Sequence, residues 1–498
     1  MKFADQTETM NPLSQKPATQ TNAQKSDARV CLKLVDVGDT ASLFTKFSRL
    51  KNCLFLDSAS RQPIVRSRYS FLMAEPVATF EVAVGEQDIF PRLRDFANRF
   101  ETEIDSELPP FQGGVAGFFS YDIARSLESL PEPTFDDFQM PAAFFGLYDV
   151  VAAIDNVDQS VFVISQGWNA AGKKSADRAR QRLDEFVRII ETDCSQYETK
   201  VPARKELSVP TFATDKLEGL RSNFSKPDFL KAVQKTIDYI FAGDIFQANL
   251  AQQLFFPADR DAASLYKELR IANPAPFSCY FDLGPHQIVS ASPERLVQVQ
   301  NGIVETRPIK GTRPRTRHPE VDIQTGQQLK ASEKDRAENT MIVDLMRNDL
   351  SRVCTDDSVV VTQLCELEEF QSVLHLVSAV QGKLSPKHDS FDLLAAVLPG
   401  GSITGAPKVR AMEIIAELEP SARGAYCGSL GFISPGGDCD FNILIRTITA
   451  SHGWWQVPVG GGIVSQSQPE LEFHETWTKA AGMLKAIASD KGRGGQPQ

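Results

Sequence analysis

Runs of β-strand punctuated by single helices, the absence of strict βα alternation, and an Asn-Gly hairpin near mid-chain predict an α+β fold with large antiparallel sheets. Neither a GxGxxG turn nor a Walker-type loop is present, which disfavours the common nucleotide-binding folds. With 498 residues the chain can bury a large core, and 42% hydrophobic with 23% charged content is that of a soluble globular protein. The formal charge of −11 argues against a general nucleic-acid or anionic-membrane binder. An anionic ligand therefore needs a local site.

Residues 1–28 are rich in Gln, Thr, Asn, Ser and Lys, carry no apolar h-region of a signal peptide, and read as a disordered tail. Residues 29–205 form a mixed α/β region. Short strands such as Cys53–Leu56 and Val161–Ser165 alternate there with helical stretches such as Lys174–Glu191, whose apolar residues recur three to four apart. The most apolar run, Ala142–Ile154, is interrupted by Asp149 and falls short of the roughly 20 residues that span a bilayer, so no membrane segment is expected. Prolines and charges without periodicity make 206–226 a connector.

The region 227–490 opens sharply. Ser225-Lys-Pro-Asp is a helix start, Phe229, Val233, Ile237, Ile240 and Phe241 form its apolar stripe, and Gly243 stops it. Strands dominate from Cys279 to Val464, with one strong helix near 333–347, and Pro469 opens a last helix reaching Ala488. The eight cysteines are scattered with no CxxC, the usage of reduced, mostly buried thiols in a reducing compartment such as the cytoplasm.

Candidate chemistry gathers in this second region. In Thr306-Arg-Pro-Ile-Lys-Gly-Thr-Arg-Pro314 a single lysine, Lys310, stands among arginines. A lysine in a basic loop is ordinarily a solvated charge. The Asn301-Gly302 turn, however, pairs Gln300 with Ile303 and, counted outward, Glu294 with Ile309 and Pro293 with Lys310. Glu294 and Lys310 then lie side by side if a bulge or a frayed ladder lets them converge, and Pro293 and Pro308 favour either. A plain salt bridge at a sheet margin reads equally well.

Glu338 shares a helical stripe with Ile342 and Leu345, a costly place for an unpaired carboxylate. Glu472, Glu475 and Lys479 lie on one face of the last helix, and His474 projects elsewhere. Taken singly these are solvated helix faces; together, three carboxylates without His or Cys suit Mg²⁺. The turns Pro399–Lys408 and Gly460–Ile463 can aim backbone N–H groups at an anion. Arg446, within a strand Asn442–Ala450, needs an anionic partner, whereas His375 in the apolar Ser372–Val377 reads as a satisfied core histidine.

Assembled in order, these residues resemble the chorismate-utilising enzymes, the family of anthranilate synthase component I, aminodeoxychorismate synthase component I, isochorismate synthase and salicylate synthase. The resemblance runs from Phe229 to about Ile487. It includes Gly243-Asp-Ile-Phe-Gln-Ala-Asn-Leu-Ala-Gln252, Ser292-Pro-Glu294, Pro308-Ile-Lys-Gly-Thr312, Asp335-Arg-Ala-Glu338, Val343-Asp-Leu-Met-Arg-Asn-Asp349, the Gly400–Lys408 turn, Ile445-Arg-Thr447 and Gly460-Gly-Gly-Ile-Val464. Looser matches are Arg68-Tyr-Ser-Phe71, Gln112-Gly-Gly-Val-Ala-Gly117 and Tyr121-Asp122.

The resemblance implies an anthranilate synthase component I-like fold, with the sheets packed as a sandwich core and helices on the outside. It implies that 227–490 is the chorismate-binding catalytic region. Anthranilate synthases carry alanine where this chain has Lys310, and aminodeoxychorismate synthases carry lysine. The water-activating lysine of isochorismate and salicylate synthases is matched by Gln247.

Amination at C4 is therefore implied, on the route to p-aminobenzoate and folate. Lys310 is the covalent nucleophile, its pKa lowered by burial or by Arg307 and Arg313. Glu294 is the general base and His375 an acid–base or electrostatic aid to the leaving hydroxyl. Thr312, Ser402, Arg446, Gly461, Gly462 and Lys479 hold the substrate, and Glu338, Glu472 and Glu475 hold Mg²⁺. Ammonia is expected from a glutamine amidotransferase subunit, since the chain shows no glutaminase triad. Phe55-Leu-Asp-Ser58 stands where family members hold tryptophan near Leu-Leu-Glu-Ser, with a shorter acid. Two other readings are an anthranilate synthase component I with an atypical lysine and a catalytically silent chorismate- or tryptophan-binding regulatory subunit.

Overall fold

A computed structural model describes residues 28–60, 68–192, 201–316, 318–369 and 373–489. The disordered tail expected at 1–28 thus lies, apart from residue 28, outside the described residues.

The first part of the chain carries strands β1 (Val30–Val35), β2 (Leu54–Asp57), β3 (Tyr69–Met73), β4 (Ala78–Val82), β5 (Gly114–Phe119), β6 (Ala143–Tyr148), β7 (Val150–Asp155) and β8 (Ser160–Ser165). Its helices are α1 (Thr40–Phe47), α2 (Ile89–Ala97), α3 (Ala124–Leu127) and α4 (Ala176–Glu191). The expected connector contains two short strands, β9 (Phe212–Ala213) and β10 (Arg221–Ser222). Next come α5 (Lys226–Ala242), β11 (Gln247–Pro257), α6 (Ala262–Ala272), β12 (Phe277–Asp282), β13 (His286–Ser292), β14 (Arg295–Gln300), β15 (Ile303–Thr306) and β16 (Ile309–Pro314). Helices α7 (Pro319–Ala331) and α8 (Glu333–Ser351) precede β17 (Val360–Glu369), β18 (Val373–Lys383), α9 (Ser390–Val397) and β19 (Gly405–Ala406). The last elements are α10 (Lys408–Leu418), β20 (Ser429–Ile433), β21 (Cys439–Asn442), β22 (Thr447–Ser451), β23 (Trp454–Ile463) and α11 (Pro469–Ala488).

Among the described residues these strands form two large antiparallel sheets. One has 13 strands, ordered β1-β8-β7-β3-β2-β12-β13-β22-β23-β11-β10-β9, with β19 beside β11. The other has 10, ordered β16-β18-β15-β14-β21-β20-β5-β6-β4, with β17 beside β18. Both sheets cross the connector, through β2–β12 in the first and β5–β20 in the second. The layer between them is apolar: Leu54, Phe71, Phe118, Phe144, Phe255, Phe281, Ile288 and Phe432 form one cluster fed by both sheets. The outer face of the larger sheet is covered by α1, α4, α6 and α11, through residues such as Phe44, Phe186, Leu265 and Met483. Residues of α2, α8 and α9 cover the smaller one. The α+β sandwich with outer helices follows from this layering.

Local chemistry sets the element ends. Ser225 caps α5 by accepting from the Asp228 amide, and Gly243, at φ +86°, closes it. Phe229, Val233 and Ile237 are buried as the stripe predicts, but Phe241 is 75% exposed. At this end of the helix it is Ile240, next to it, that packs inward, against Ile245, Ala248 and Ile415. The apolar run from Ala142 splits at Asp149 into β6 and β7, and the buried carboxylate faces Arg178 at 3.7 Å and Arg182 at 3.6 Å of α4. Among the described residues no helix is long and apolar enough to cross a membrane, and the seven described cysteines are free thiols.

Candidate active site

The β14–β15 hairpin forms with Gln300 opposite Ile303, and its turn residues Asn301 and Gly302 take positive φ, +52° and +75°. The ladder does not continue to Glu294 and Lys310 as the count from the turn suggested. β15 stops at Thr306, and after Arg307-Pro308 the chain re-pairs as β16 along β18, with Ile309 opposite Val377 and Lys310 opposite Leu376. Proline has no N–H to extend the first ladder, which is where it breaks. Glu294 nevertheless stays alongside: its Oε1 is 3.5 Å from the Ile309 amide.

A bulge then aims β16. The register slips between Lys310 and Thr312, around Gly311 at φ +69°, and a Cβ there would lie 2.8 Å from Leu329 and 3.1 Å from Asp335. Beyond the bulge Thr312 Oγ1 is 2.9 Å from His375 Nδ1, and before it Lys310 Nζ donates to the Ser402 carbonyl at 3.3 Å. Ser402 reaches this point because the Gly401 turn packs tightly on α8; a Cβ at Gly401 would sit 2.4 Å from Leu345. Lys408, at the start of α10, bonds Asp349 near the end of α8 at 2.7 Å and fixes the same turn from behind.

Helix α8 is docked on β18 by Asn339, fully buried, which donates to the Leu376 carbonyl and accepts from Ser378. That contact places Glu338, one residue earlier, beside Lys310. Opposite stands α11. Glu472 is buried and accepts from Ser467 at 2.6 Å, and Lys479 bonds Glu475 at 2.7 Å and the Gly460 carbonyl at 2.9 Å. The glycine run expected as a turn is instead the end of strand β23 itself. Any side chain at Gly461 would enter the cluster: a Cβ would lie 3.2 Å from Lys479 Nζ and 3.5 Å from both Glu472 Oε2 and Glu475 Oε1. At Gly462 a Cβ would be 2.5 Å from Gln247 Nε2. Gln247 is fully buried, and neither polar atom of its amide finds a hydrogen-bond partner among the described residues.

Arg446 is not inside a strand. The chain breaks between β21 and β22, and Arg446 takes φ +53°, a left-handed position that turns it toward α11, where it donates to the Lys479 carbonyl at 2.7 Å. Among the described residues no carboxylate lies within ion-pair distance of this guanidinium. A largely buried cation held by a carbonyl alone is ready for an anionic ligand.

The electrostatics follow from burial. Glu294 is pushed up to about 7 by desolvation, against the pull of Lys310. Lys310 is lowered from the usual lysine range by burial, while Glu338 and Glu294 oppose the shift and Lys479 adds to it. Arg307 and Arg313 do not supply the positive charge expected of them. Arg307 is bound to Glu368 at 2.5 Å and Arg313 to Asp335 at 3.2 Å, so each is neutralised by its own carboxylate. His375 is lowered to about 4 by burial and by Arg446, which leaves a neutral imidazole at pH 7. Glu338 and Glu472 are raised by burial. Burial also opposes the charge of Glu475, but Lys479 outweighs it and holds that carboxyl low.

All twelve residues singled out in the sequence thus line one region between the β16–β18 edge, α8, the 400-turn, the end of β23 and α11. Among the described residues no three carboxylate, His or Cys side chains stand ready around a single ion. Glu338, Glu472 and Glu475 are engaged instead by Lys334, Ser467 and Lys479. The donor set still fits Mg²⁺ in kind: all ligating atoms are carboxylate oxygens, and Glu472 and Glu475 flank the same open glycine. Sequence reasoning missed Ser467, Lys334 and the buried pair Glu419–Arg423. That pair is spaced i,i+4 on the chain and fixes β11 and the 400-turn through Ala251, Asn249 and Ile403.

A half-buried lysine beside a buried glutamate, an arginine with no carboxylate partner among the described residues and three glutamates thus gather on a two-sheet scaffold as an enzyme-like site suited to an anionic ligand. The chain belongs to the chorismate binding enzyme family, whose profile matches residues 51–485. It is 38% identical over 435 residues to aminodeoxychorismate synthase component 1 of Bacillus subtilis (strain 168), covering 84% of this chain and 89% of that one. It is 36% identical over 467 residues to anthranilate synthase component 1 of Acetivibrio thermocellus, covering 91% and 93%. The solved anthranilate synthase component I from Streptococcus pneumoniae TIGR4 superposes with a TM-score of 0.73 at 30% identity, over 93% of this chain and 99% of that one. Relatives of both kinds stand at similar identity, so overall similarity does not choose between the two aminations.

An alanine at Gly461 puts its methyl among the three charges. It is expected to raise KM for chorismate about tenfold with little change in Tm, measured by steady-state kinetics and calorimetry.

Proposed function

We propose that this chain aminates chorismate at C4, as an aminodeoxychorismate synthase component 1, with Lys310 as a covalent nucleophile. The observation that carries this reading is the position of Lys310 Nζ: it is turned into the site, bonded to the Ser402 carbonyl, and depressed in pKa by burial. Such an amine can shed its proton at lower cost than a surface lysine.

The neutral amine forms a bond to C2 of the ring, both ring double bonds shift around the far side, and the C4–O bond breaks, the hydroxyl leaving as water with the proton that the new C2 ammonium sheds. Ammonia then bonds to C4, both double bonds shift back, and the C2–N bond breaks, Lys310 leaving as the neutral amine with the proton that the new C4 ammonium gives up through Glu294. Glu294, titrating about 7, takes the proton of the incoming amine. His375, neutral and oriented through Thr312, faces the site as a hydrogen-bonding aid to the departing hydroxyl. Arg446 and Lys479 offer cations to the substrate carboxylates, and Gly461 leaves the space. Mg²⁺, held by Glu338, Glu472 and Glu475, would neutralise the ring carboxylate. Ammonia would come from a glutamine amidotransferase subunit.

Incubating the purified chain with chorismate, Mg²⁺ and ammonium is expected to give 4-amino-4-deoxychorismate by chromatography with mass detection. Anthranilate as the main product would replace this reading with the 2-amination, and binding without turnover would make the chain a silent subunit.

A further inference from the structure

Lys334 is in an unfavourable place for a lysine whose only role is to sit on a helix. It is the second residue of α8, where the positive end of the helix dipole repels a cation. Its i,i+4 partner Glu338 lies on the C-terminal side, the weaker order for such a pair, and the separation is 3.9 Å. The side chain nevertheless leans toward the glutamate cluster, and its charge favours the ionised forms of Glu338 on its own helix and of Glu472 and Glu475 on α11. Those carboxylates repel one another: Glu475 raises Glu472, and Glu472 raises Glu338. The other two lysines nearby are engaged, Lys479 by Glu475 and the Gly460 carbonyl and Lys310 by the Ser402 carbonyl. Lys334 remains 45% exposed on a flexible four-carbon stem, free to swing into water.

We propose that Lys334 is a displaceable counter-ion of the Glu338–Glu472–Glu475 cluster, holding the carboxylates together before a divalent metal arrives and competing with it for them. The inference rests on the metal reading given above. It makes Lys334 a positioning residue that weakens metal binding and keeps the empty site folded. A metal then enters by exchange for a charge the chain itself supplies, rather than into a naked triad.

The test is titration of the full chain with Mn²⁺, without chorismate, followed by the loss of the free-ion electron paramagnetic signal. Lys334→Gln is expected to bind Mn²⁺ about tenfold tighter than wild type at low ionic strength, a gap that narrows with added salt, and Lys334→Arg to stay near wild type. The metal-free Lys334→Gln chain is expected to melt below wild type and to recover when Mn²⁺ is added. Unchanged or weaker Mn²⁺ binding by Lys334→Gln, or an unchanged metal-free melt, overturns the proposal. If wild type takes up no Mn²⁺ at millimolar concentration while Lys310 chemistry persists, the metal reading falls and this inference with it. If wild type binds and Lys334→Gln binds equally, the inference alone falls.

Discussion

Replacing Lys310 with alanine is expected to slow formation of the 4-amino product by about a thousandfold or more, on the order of 4 kcal/mol in the barrier. The substitution removes the amine bonded at the Ser402 carbonyl and leaves the anion-holding groups in place, so the loss is expected in kcat and not in KM. The vacated volume lies beside Glu294, where ammonia can approach C2 directly. Traces of anthranilate are therefore expected in the variant, read from the product mixture. Lys310→Arg separates two roles of the charge. A guanidinium stays protonated at any working pH and cannot bond to carbon, so it is expected to be as inactive as alanine. Substantial 4-amination by Lys310→Arg would reduce Lys310 to an electrostatic group.

Much of this site could be read along the chain because its residues sit in short motifs with fixed spacings. The Glu472–Glu475–Lys479 face follows from helical periodicity alone, and Pro469 opens α11 where its missing N–H costs nothing. The Asn301-Gly302 turn fixed one register, but extrapolating it seven residues, to Pro293 opposite Lys310, failed. Continuation depends on which neighbour competes for the strand, and β18 offered a longer partner than β14. Arg446 reads as a strand residue because the apolar Leu444 and Ile448 alternate with it along the chain. Its left-handed φ is set by the hand-over from one sheet to the other, a tertiary event with no local signal. The errors at Arg307 and Arg313 share that origin. A cation's effect on Lys310 depends on whether Glu368 and Asp335 reach it first, and those partners lie 61 and 22 residues away. Lys334 carried a signal that went unread, a positive charge at the wrong end of a helix.

Glu294→Gln is expected to make the protein more stable at pH 8 and nearly inactive. Glu294 is buried and its carboxyl is pushed up to about 7, so the folded state holds its proton more tightly than the unfolded chain does. The corresponding stability is present in full below the ordinary glutamate value, about 4.5, and is lost as pH rises through about 7. At pH 8 the fold carries a buried carboxylate that Lys310 only partly compensates, a burden on the order of 3 kcal/mol. Glutamine keeps the shape and the bond from Ile309 without the charge, so its Tm should exceed wild type at pH 8 and converge with it near pH 4. Activity should move the other way, falling by about two to four orders of magnitude as the proton acceptor is lost. The acid limb of the wild-type rate profile near pH 7, corrected for the free ammonia present, should disappear in the residual rate. Stability and rate changing in opposite directions in one variant would mean that the carboxylate is kept for its chemistry at a cost to the fold. A variant destabilised at every pH would show instead that Glu294 is a structural partner of Lys310 and that the base lies elsewhere.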